Sequence, residues 1–258
     1  MSDIVGPKSW PYPFWIAHRG AGKLAPENTL AAFRLGAQYG YRMFECDVKL
    51  SSDGVPFLMH DAELTRTTNA KDRFGSNASL IGGDHTLGEL AQLDAGSWHS
   101  RTFAGEPLPT LDNLAQYCHA NHHFLNIEIK PTPGLARKTG EVVATEAARL
   151  WRESATPPLL TSFQADALFG AYAAAPQLPR GLLIDKMSPN WLEQALQIDC
   201  VAIVCNFTLW DEGTVREAKS AGFKCLSYTV NDEWAAQRLI DLGTDGIITD
   251  RVDLFSAG

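Results

Sequence analysis

The sequence predicts an α/β chain folded as a single (β/α)8 TIM barrel, with a small insertion after a β-hairpin that follows the second strand. Three observations carry this. Eight short apolar runs alternate with stretches of helical periodicity, the chain is 258 residues long, and one extra apolar run with a turn signal breaks the rhythm. Strand–helix alternation predicts βαβ units around a parallel sheet, and eight of them in about 250 residues are what such a barrel requires. A doubly wound open sheet is the structural alternative.

Taken in order, the first strand is Phe14–His18, followed by helical periodicity over Glu27–Tyr39. Pro26 suits a first helical position, Glu27 puts negative charge near the helix N-terminus, and Gly40 caps the other end. The second strand is Met43–Val48. Ser51-Ser52-Asp53-Gly54 joins it to the apolar run Val55–Met59, and Asp-Gly is a hairpin signal because glycine takes positive φ without steric cost. Val55–His60 is therefore expected to fold back antiparallel on Met43–Leu50. A hairpin pivoting between Ser52 and Asp53 would set His60 opposite Glu45. The segment 61–109 is polar, Gly-rich and weakly periodic, and reads as an insertion over one end of the barrel within one domain spanning 1–258. Beyond it come strands Phe124–Ile129, Leu159–Ser162, Gly181–Ile184, Val201–Cys205, Cys225–Val230 and Gly246–Thr249. Helical stretches cover Leu111–Ala120, Leu135–Trp151, Ala165–Ala174, Asn190–Gln197, Glu212–Ala221 and Asp232–Leu242.

Composition narrows the function. Thirty acidic against 22 basic residues give a net charge of −8, which argues against a broad nucleic-acid or membrane-surface binder. A small anionic substrate at one local site is compatible with it. No apolar run approaches the roughly 20 residues that span a bilayer. The start, with Pro7, Pro11 and Pro13, lacks the continuous apolar stretch of a secretory leader. Cys46, Cys118, Cys200, Cys205 and Cys225 are odd in number, mostly lie inside apolar segments, and show no CxxC or zinc spacing. They read as reduced thiols of a cytoplasmic protein. Oligomeric state is not legible.

The chemistry concentrates at strand ends. Glu45 and Asp47 stand two apart on one strand, so they share a face while Cys46 points away. Burying both carboxylates uncompensated would cost several kcal/mol. A divalent cation is the simplest remedy, and oxygen ligands select a hard one such as Mg²⁺ or Ca²⁺. Asn126, Glu128 and Lys130 share a face in the same way, with the isoleucines between them facing the helices. In a barrel these faces converge at the C-terminal strand ends with His18, Arg19 and His60. Two imidazoles and two fixed cations beside a metal suit general acid–base work on a phosphate ester. Singly each has a plainer reading: Glu45-x-Asp47 as a solvated edge, Arg19 as a salt bridge, Glu128-x-Lys130 as an ion pair.

A rival lies in Gly20-Ala21-Gly22-Lys23-Leu24-Ala25, which follows a strand and matches the G-x-G-x-x-A dinucleotide fingerprint, with an acidic residue about 20 positions on. Against it, that fingerprint starts its helix within the glycines, whereas Pro26-Glu27-Asn28 looks like the helix start here.

His18-Arg19-Gly20, Pro26-Glu27-Asn28-Thr29, Glu45-x-Asp47, Asp53-Gly54, His60-Asp61, Glu128-Ile129-Lys130, Ser162-Phe163, Thr229-Val230-Asn231 and Asp245-Gly246-x-x-x-Asp250 together resemble the glycerophosphodiester phosphodiesterases. The resemblance runs from about Trp10 to Asp250. Trp10-Pro11-Tyr12-Pro13, Asp94-Ala95-Gly96-Ser97-Trp98 and Glu106-Pro107-Leu108-Pro109 are similar to its bacterial cytoplasmic branch linked to glycerol-3-phosphate uptake. It implies hydrolysis of small glycerophosphodiesters to sn-glycerol 3-phosphate and an alcohol. It further implies a divalent cation (Mg²⁺ or Ca²⁺, or else Mn²⁺ or Co²⁺) on Glu45, Asp47 and Glu128, with His18 and His60 as acid and base. Arg19 and Lys130 would meet phosphate oxygens, and Trp98 and Phe163 would line the pocket. Asn231 would join them at the pocket or, on the plainer reading, cap the helix that follows, and Glu27 reads as a brace for Arg19. Which histidine is the acid, and whether water or the substrate's own hydroxyl attacks, stay open.

Overall fold

A computed structural model describes residues 10–75 and 77–255; the reading of the first nine residues as no leader lies outside them. The chain runs β1 (Trp15–Ala17), α1 (Leu30–Gln38), β2 (Met43–Leu50), β3 (Pro56–Leu58), α2 (Ala70–Phe74), α3 (Leu87–Leu90), α4 (Leu111–Asn121), β4 (Phe124–Ile129) and α5 (Ala136–Leu150). It continues through β5 (Leu159–Ser162), α6 (Ala165–Ala174), β6 (Arg180–Ile184), α7 (Trp191–Gln197), β7 (Ala202–Asn206), α8 (Glu212–Ser220), β8 (Lys224–Tyr228), α9 (Glu233–Asp241) and β9 (Gly246–Thr249). Eight of the strands are parallel, and the sheet closes because β1 pairs with both β9 and β2. Closure excludes the open doubly wound sheet.

Residue alternation along each strand builds two layers. Outward residues such as Cys46, Val48, Ile127 and Ile129 pack with Val143, Ala144 and Ala147 of α5. Inward residues Ile16, Met43, Leu159, Leu183, Val204, Leu226 and Ile248 fill the barrel's lower interior. Each fully buried aliphatic side chain contributes roughly 1.5–3 kcal/mol. Above that apolar plug, the inward positions of β2 and β4 turn polar. Parallel register pairs Glu45 with Asn126 and Asp47 with Glu128, which levels the carboxylates toward the C-terminal strand ends.

Three local expectations are corrected. First, α1 starts at Leu30, not near Pro26. Thr29 caps it, accepting from the Ala32 amide, and Asn28 has left-handed φ (59°), which no helix interior admits. Second, the hairpin pairs Val48 with Leu58, Lys49 with Phe57 and Leu50 with Pro56, so it pivots on Asp53 itself. A three-residue loop closes it: the Ser51 hydroxyl accepts from the Val55 amide at 2.9 Å and donates to Asp53 at 2.6 Å. By that register His60 falls opposite Cys46, not Glu45, and it lies in a bend beyond the strand. Third, Asp232 caps α9 through the Ala235 amide, and Asn231 serves the site instead. The remaining boundaries differ by one or two residues.

The segment 61–109 carries α2 and α3 over its own apolar cluster of Phe57, Met59, Leu64, Leu90 and Leu93. It is tied to the mouth by the Ala31 amide donating to Glu106 (2.9 Å) and by His99 against the Lys23 carbonyl (3.0 Å). Among the described residues, no helix is long and apolar enough to cross a membrane. All five cysteines are free and buried.

Candidate active site

The loop after β1 shapes one wall of the mouth. Arg19 adopts a left-handed backbone (φ 51°), a conformation that costs energy for a non-glycine residue and aims its amide at Glu45 Oε2, 3.1 Å away. Its guanidinium Nε lies 3.1 Å from Asp47 Oδ2, and Nη1 donates to Glu27 Oε1 at 2.8 Å, so Glu27 does brace Arg19. Gly20 and Gly22 are required by packing: a Cβ on Gly22 would sit 2.2 Å from the Asp250 carbonyl oxygen, and one on Gly20 2.7 Å from Ala32. Those contacts, with a helix that begins only at Leu30, leave the loop no phosphate-cradling role, and the dinucleotide reading falls.

Asn28, the other left-handed residue here, holds Asp47 twice. Its Nδ2 donates to Asp47 Oδ2 at 2.8 Å, and its Oδ1 accepts the Asp47 amide at 3.0 Å. Sequence reasoning had left Asn28 to helix-start structure; its one available signal was that asparagine tolerates left-handed φ.

Glu45, Asp47 and Glu128 each present one carboxylate oxygen such that all three lie within 4.8 Å of one another. Glu45 and Asp47 are buried, and among the described residues Glu45 Oε1 and Asp47 Oδ1 have no hydrogen-bond partner. Burial, then repulsion from Asp47 and Glu128, pushes Glu45 well above its ordinary value. Burial and Asp47 raise Glu128 to about 7. Burial also disfavours charge on Asp47, but Arg19, His60, Lys130 and the Asn28 bond outweigh it and hold that group low. Two orphaned buried oxygens in an all-carboxylate set are the donor arrangement a hard divalent cation fits.

Both histidines have carboxylate partners on Nδ1. His18 Nδ1 is 2.6 Å from Asp250 Oδ1, and its Nε2 is 3.8 Å from Glu45 Oε2. Asn231 donates from Nδ2 to Asp250 Oδ2 at 2.9 Å and accepts the Asp250 amide on Oδ1. His60 Nδ1 is 2.7 Å from Asp61 Oδ1, and its Nε2 faces Lys130 Nζ at 3.1 Å. An ammonium has only donors, so His60 Nε2 accepts there and Nδ1 carries the proton. Burial lowers the His60 pKa against the opposing pull of Asp47 and Asp61. Lys130 also donates to Glu128 Oε1 at 3.0 Å.

His18, Arg19, Glu45, His60, Glu128, Lys130 and Phe163 line one cavity of about 180 Å³, floored by Asn126 and Thr161. Phe163 stands at its rim, edge-on to Tyr228 at 5.5 Å. Asp47 lies just behind Arg19, fully buried. Trp98 is not in this lining: its indole donates to the Ala95 carbonyl at 2.8 Å and its ring is 39% exposed. Besides Asn28, the sequence assigns no role to Asp250, Asp61 or Lys49, and the orienting role of Asn231 on Asp250 is not among those it suggests. Lys49 shares the inward face of Glu45 and Asp47, donates to the Lys130 carbonyl at 3.1 Å, and is lowered to about 8 by burial and by Lys130.

Comparison with known proteins agrees with this geometry. A profile described as "Glycerophosphoryl diester phosphodiesterase family" matches residues 18–254. A glycerophosphodiester phosphodiesterase of Caldanaerobacter subterraneus subsp. tengcongensis is 32% identical over 239 residues, covering 91% of this chain and 93% of the relative. One from Bacillus subtilis (strain 168) is 28% identical, covering 93% and 84%. Among solved structures, an Oleispira antarctica phosphodiesterase in complex with the product sn-glycerol-3-phosphate superposes with TM-score 0.84 at 35% identity, covering 95% of this chain and 96% of that one.

Proposed function

The chain belongs to the glycerophosphoryl diester phosphodiesterase family, and from that premise we propose how its cavity hydrolyses small glycerophosphodiesters to sn-glycerol 3-phosphate and an alcohol. The observation that carries the proposal is the meeting of two imidazoles, two cations and the carboxylate cluster in one cavity at the C-terminal barrel mouth.

Glu45, Asp47 and Glu128 would hold a divalent cation, Mg²⁺ or Ca²⁺ by hardness, with Mn²⁺ and Co²⁺ also served by carboxylates. Such an ion supplies Lewis-acid polarisation of a phosphoryl oxygen. Arg19 and Lys130 flank the same cavity and meet the remaining phosphate charge, preorganised by their bonds to Glu27 and Glu128. His60, neutral with its Nε2 lone pair held by Lys130, takes the proton of the attacking hydroxyl, whether water's or the substrate's own, once Lys130 turns from it to a phosphate oxygen. The Asp61 bond then stabilises the imidazolium that forms. His18, oriented by Asp250, gives its Nε2 proton to the leaving alcohol. Phe163 and Tyr228 offer an apolar edge to that alcohol, and Trp98 lies farther out in the insertion that overhangs the mouth.

The single-domain reading of 1–258, with 61–109 as an insertion, is supported by the one closed barrel that the described residues form, and five buried free thiols support a reducing, cytoplasmic setting. The test is release of glycerol 3-phosphate from glycerophosphocholine and related diesters. Turnover is expected to stop with EDTA and return with a divalent cation; turnover indifferent to chelation would remove the metal from this reading.

A further inference from the structure

We infer that Arg66 is a positioning residue that clamps His60 and Arg19 into one frame from the segment beyond the hairpin. The inference rests on the roles proposed above for those two residues. Arg66 uses both forks of its guanidinium. Toward Asp61 it donates from Nε to Oδ2 at 2.6 Å and from Nη2 to Oδ1 at 3.2 Å. Toward Glu27 it donates from Nη1 to Oε2 and from Nη2 to Oε1, both at 2.7 Å.

Neither carboxylate ends at Arg66. Asp61 Oδ1 also holds His60 Nδ1, and Glu27 Oε1 also holds Arg19 Nη1. The bonds thus run His60–Asp61–Arg66–Glu27–Arg19, and Arg19 closes on Asp47. One cation outside the cavity therefore fixes the plane and tautomer of one imidazole and the direction of one phosphate-facing guanidinium. Without it, Asp61, about a third exposed, is free to turn toward solvent and release the His60 ring. Glu27, largely buried, would keep Arg19 as its sole cation and draw it out of alignment with Asp47.

An ordinary exposed ion pair contributes little and tethers only its two members. This one differs because both acceptors carry a second bond into the cavity. It also hangs from a fixed base. Leu64 and Thr67 on either side are buried, and the Leu64 amide donates to the Leu80 carbonyl while the Gly82 amide donates to the Ala62 carbonyl. The segment therefore has backbone and packing anchors besides the Arg66 side chain. A lysine could not replace it, since a single ammonium lacks the two planar forks.

The test compares full-length wild type, Arg66→Ala, Arg66→Lys, Asp61→Asn, Glu27→Gln and His60→Ala for kcat and KM on glycerophosphocholine, with melting temperatures. Loss of a supporting bond of this kind costs roughly ten- to a hundredfold in activity. Arg66→Ala is expected to melt near wild type, to lose kcat by that factor and to raise KM. Asp61→Asn is expected to affect mainly kcat, and Glu27→Gln mainly KM. Arg66→Lys should recover only part of the loss, and millimolar guanidinium should partly rescue Arg66→Ala, which a purely structural role would not produce. Wild-type kcat and KM in Arg66→Ala beside an inactive His60→Ala would overturn the proposal alone. So would a loss accounted for by a smaller folded fraction with no rescue by guanidinium. Full activity in His60→Ala would overturn the acid–base reading, and this proposal with it.

Discussion

Glu128→Gln separates stability from function at the carboxylate cluster. The Glu128 carboxyl is raised from its ordinary 4.5 to about 7 by burial and by Asp47. An acid raised on folding gives full stability below its unfolded pKa and loses it as pH climbs through the folded one. At about 1.36 kcal/mol for each tenfold change in proton affinity, the rise amounts to roughly 3 kcal/mol lost between pH 4.5 and about 7. Glutamine keeps an oxygen to accept from Lys130 and never ionises. In the chelated protein at pH 8, the variant should therefore be the more stable, by roughly 5–10 °C in melting temperature for a chain of this size. At pH 5 the folded carboxyl is protonated while the unfolded one is still mostly ionised, so the gap should shrink to about a quarter of its size at pH 8. His60, lowered on folding, loses stability in the opposite sense as pH falls below its ordinary value, but it does so equally in both proteins and drops out of the difference. Added divalent cation should raise the wild type at pH 8 far more than the variant, and the variant should be nearly inactive. Differential scanning fluorimetry with and without EDTA at both pH values measures all of this. A variant no more stable than wild type at pH 8 would refute the reasoning, as would a gap as large at pH 5 as at pH 8.

Two further outcomes follow from the site's bonds. Asp250→Asn cannot satisfy both neighbours, because Asn231 Nδ2 donates to one oxygen while His18 Nδ1 needs the other. Losing that charge-assisted bond, of about 1.5–3 kcal/mol, should lower the melting temperature by roughly 3–10 °C and kcat of the folded enzyme about ten- to a hundredfold; unchanged kcat would free His18 from its proposed orientation. Arg19→Lys should raise KM at least about tenfold, because one ammonium cannot span Glu27 and Asp47 while facing phosphate; steady-state kinetics showing wild-type KM would remove Arg19 from phosphate binding.

Much of the site was legible because strands impose period two. Glu45 with Asp47, and Glu128 with Lys130, could be assigned to common faces without coordinates, and the barrel's parallel register then brings them level. His60 shows where that reach ended. Its register in the hairpin depended on whether the loop held two residues or three, and the Ser51 side chain decided for three. Asn28 was misread as part of a helix start because Pro-Glu-Asn-Thr satisfies the N-terminal preferences of a helix, whereas the turn it makes is dictated by its grip on Asp47.

By itself the sequence determined the eight-stranded plan, the polar strand ends and the residue types that meet there, since periodicity and side-chain chemistry are local properties. Only the tertiary structure decided which carboxylate His18 leans on, that two carboxylate oxygens are left buried without partners among the described residues, and that Arg66 joins His60 to Arg19 through Glu27. Those are contacts between residues 39 to 232 positions apart for Arg66–Glu27 and His18–Asp250. No local pattern encodes such distances; barrel closure and the fold of the insertion create them.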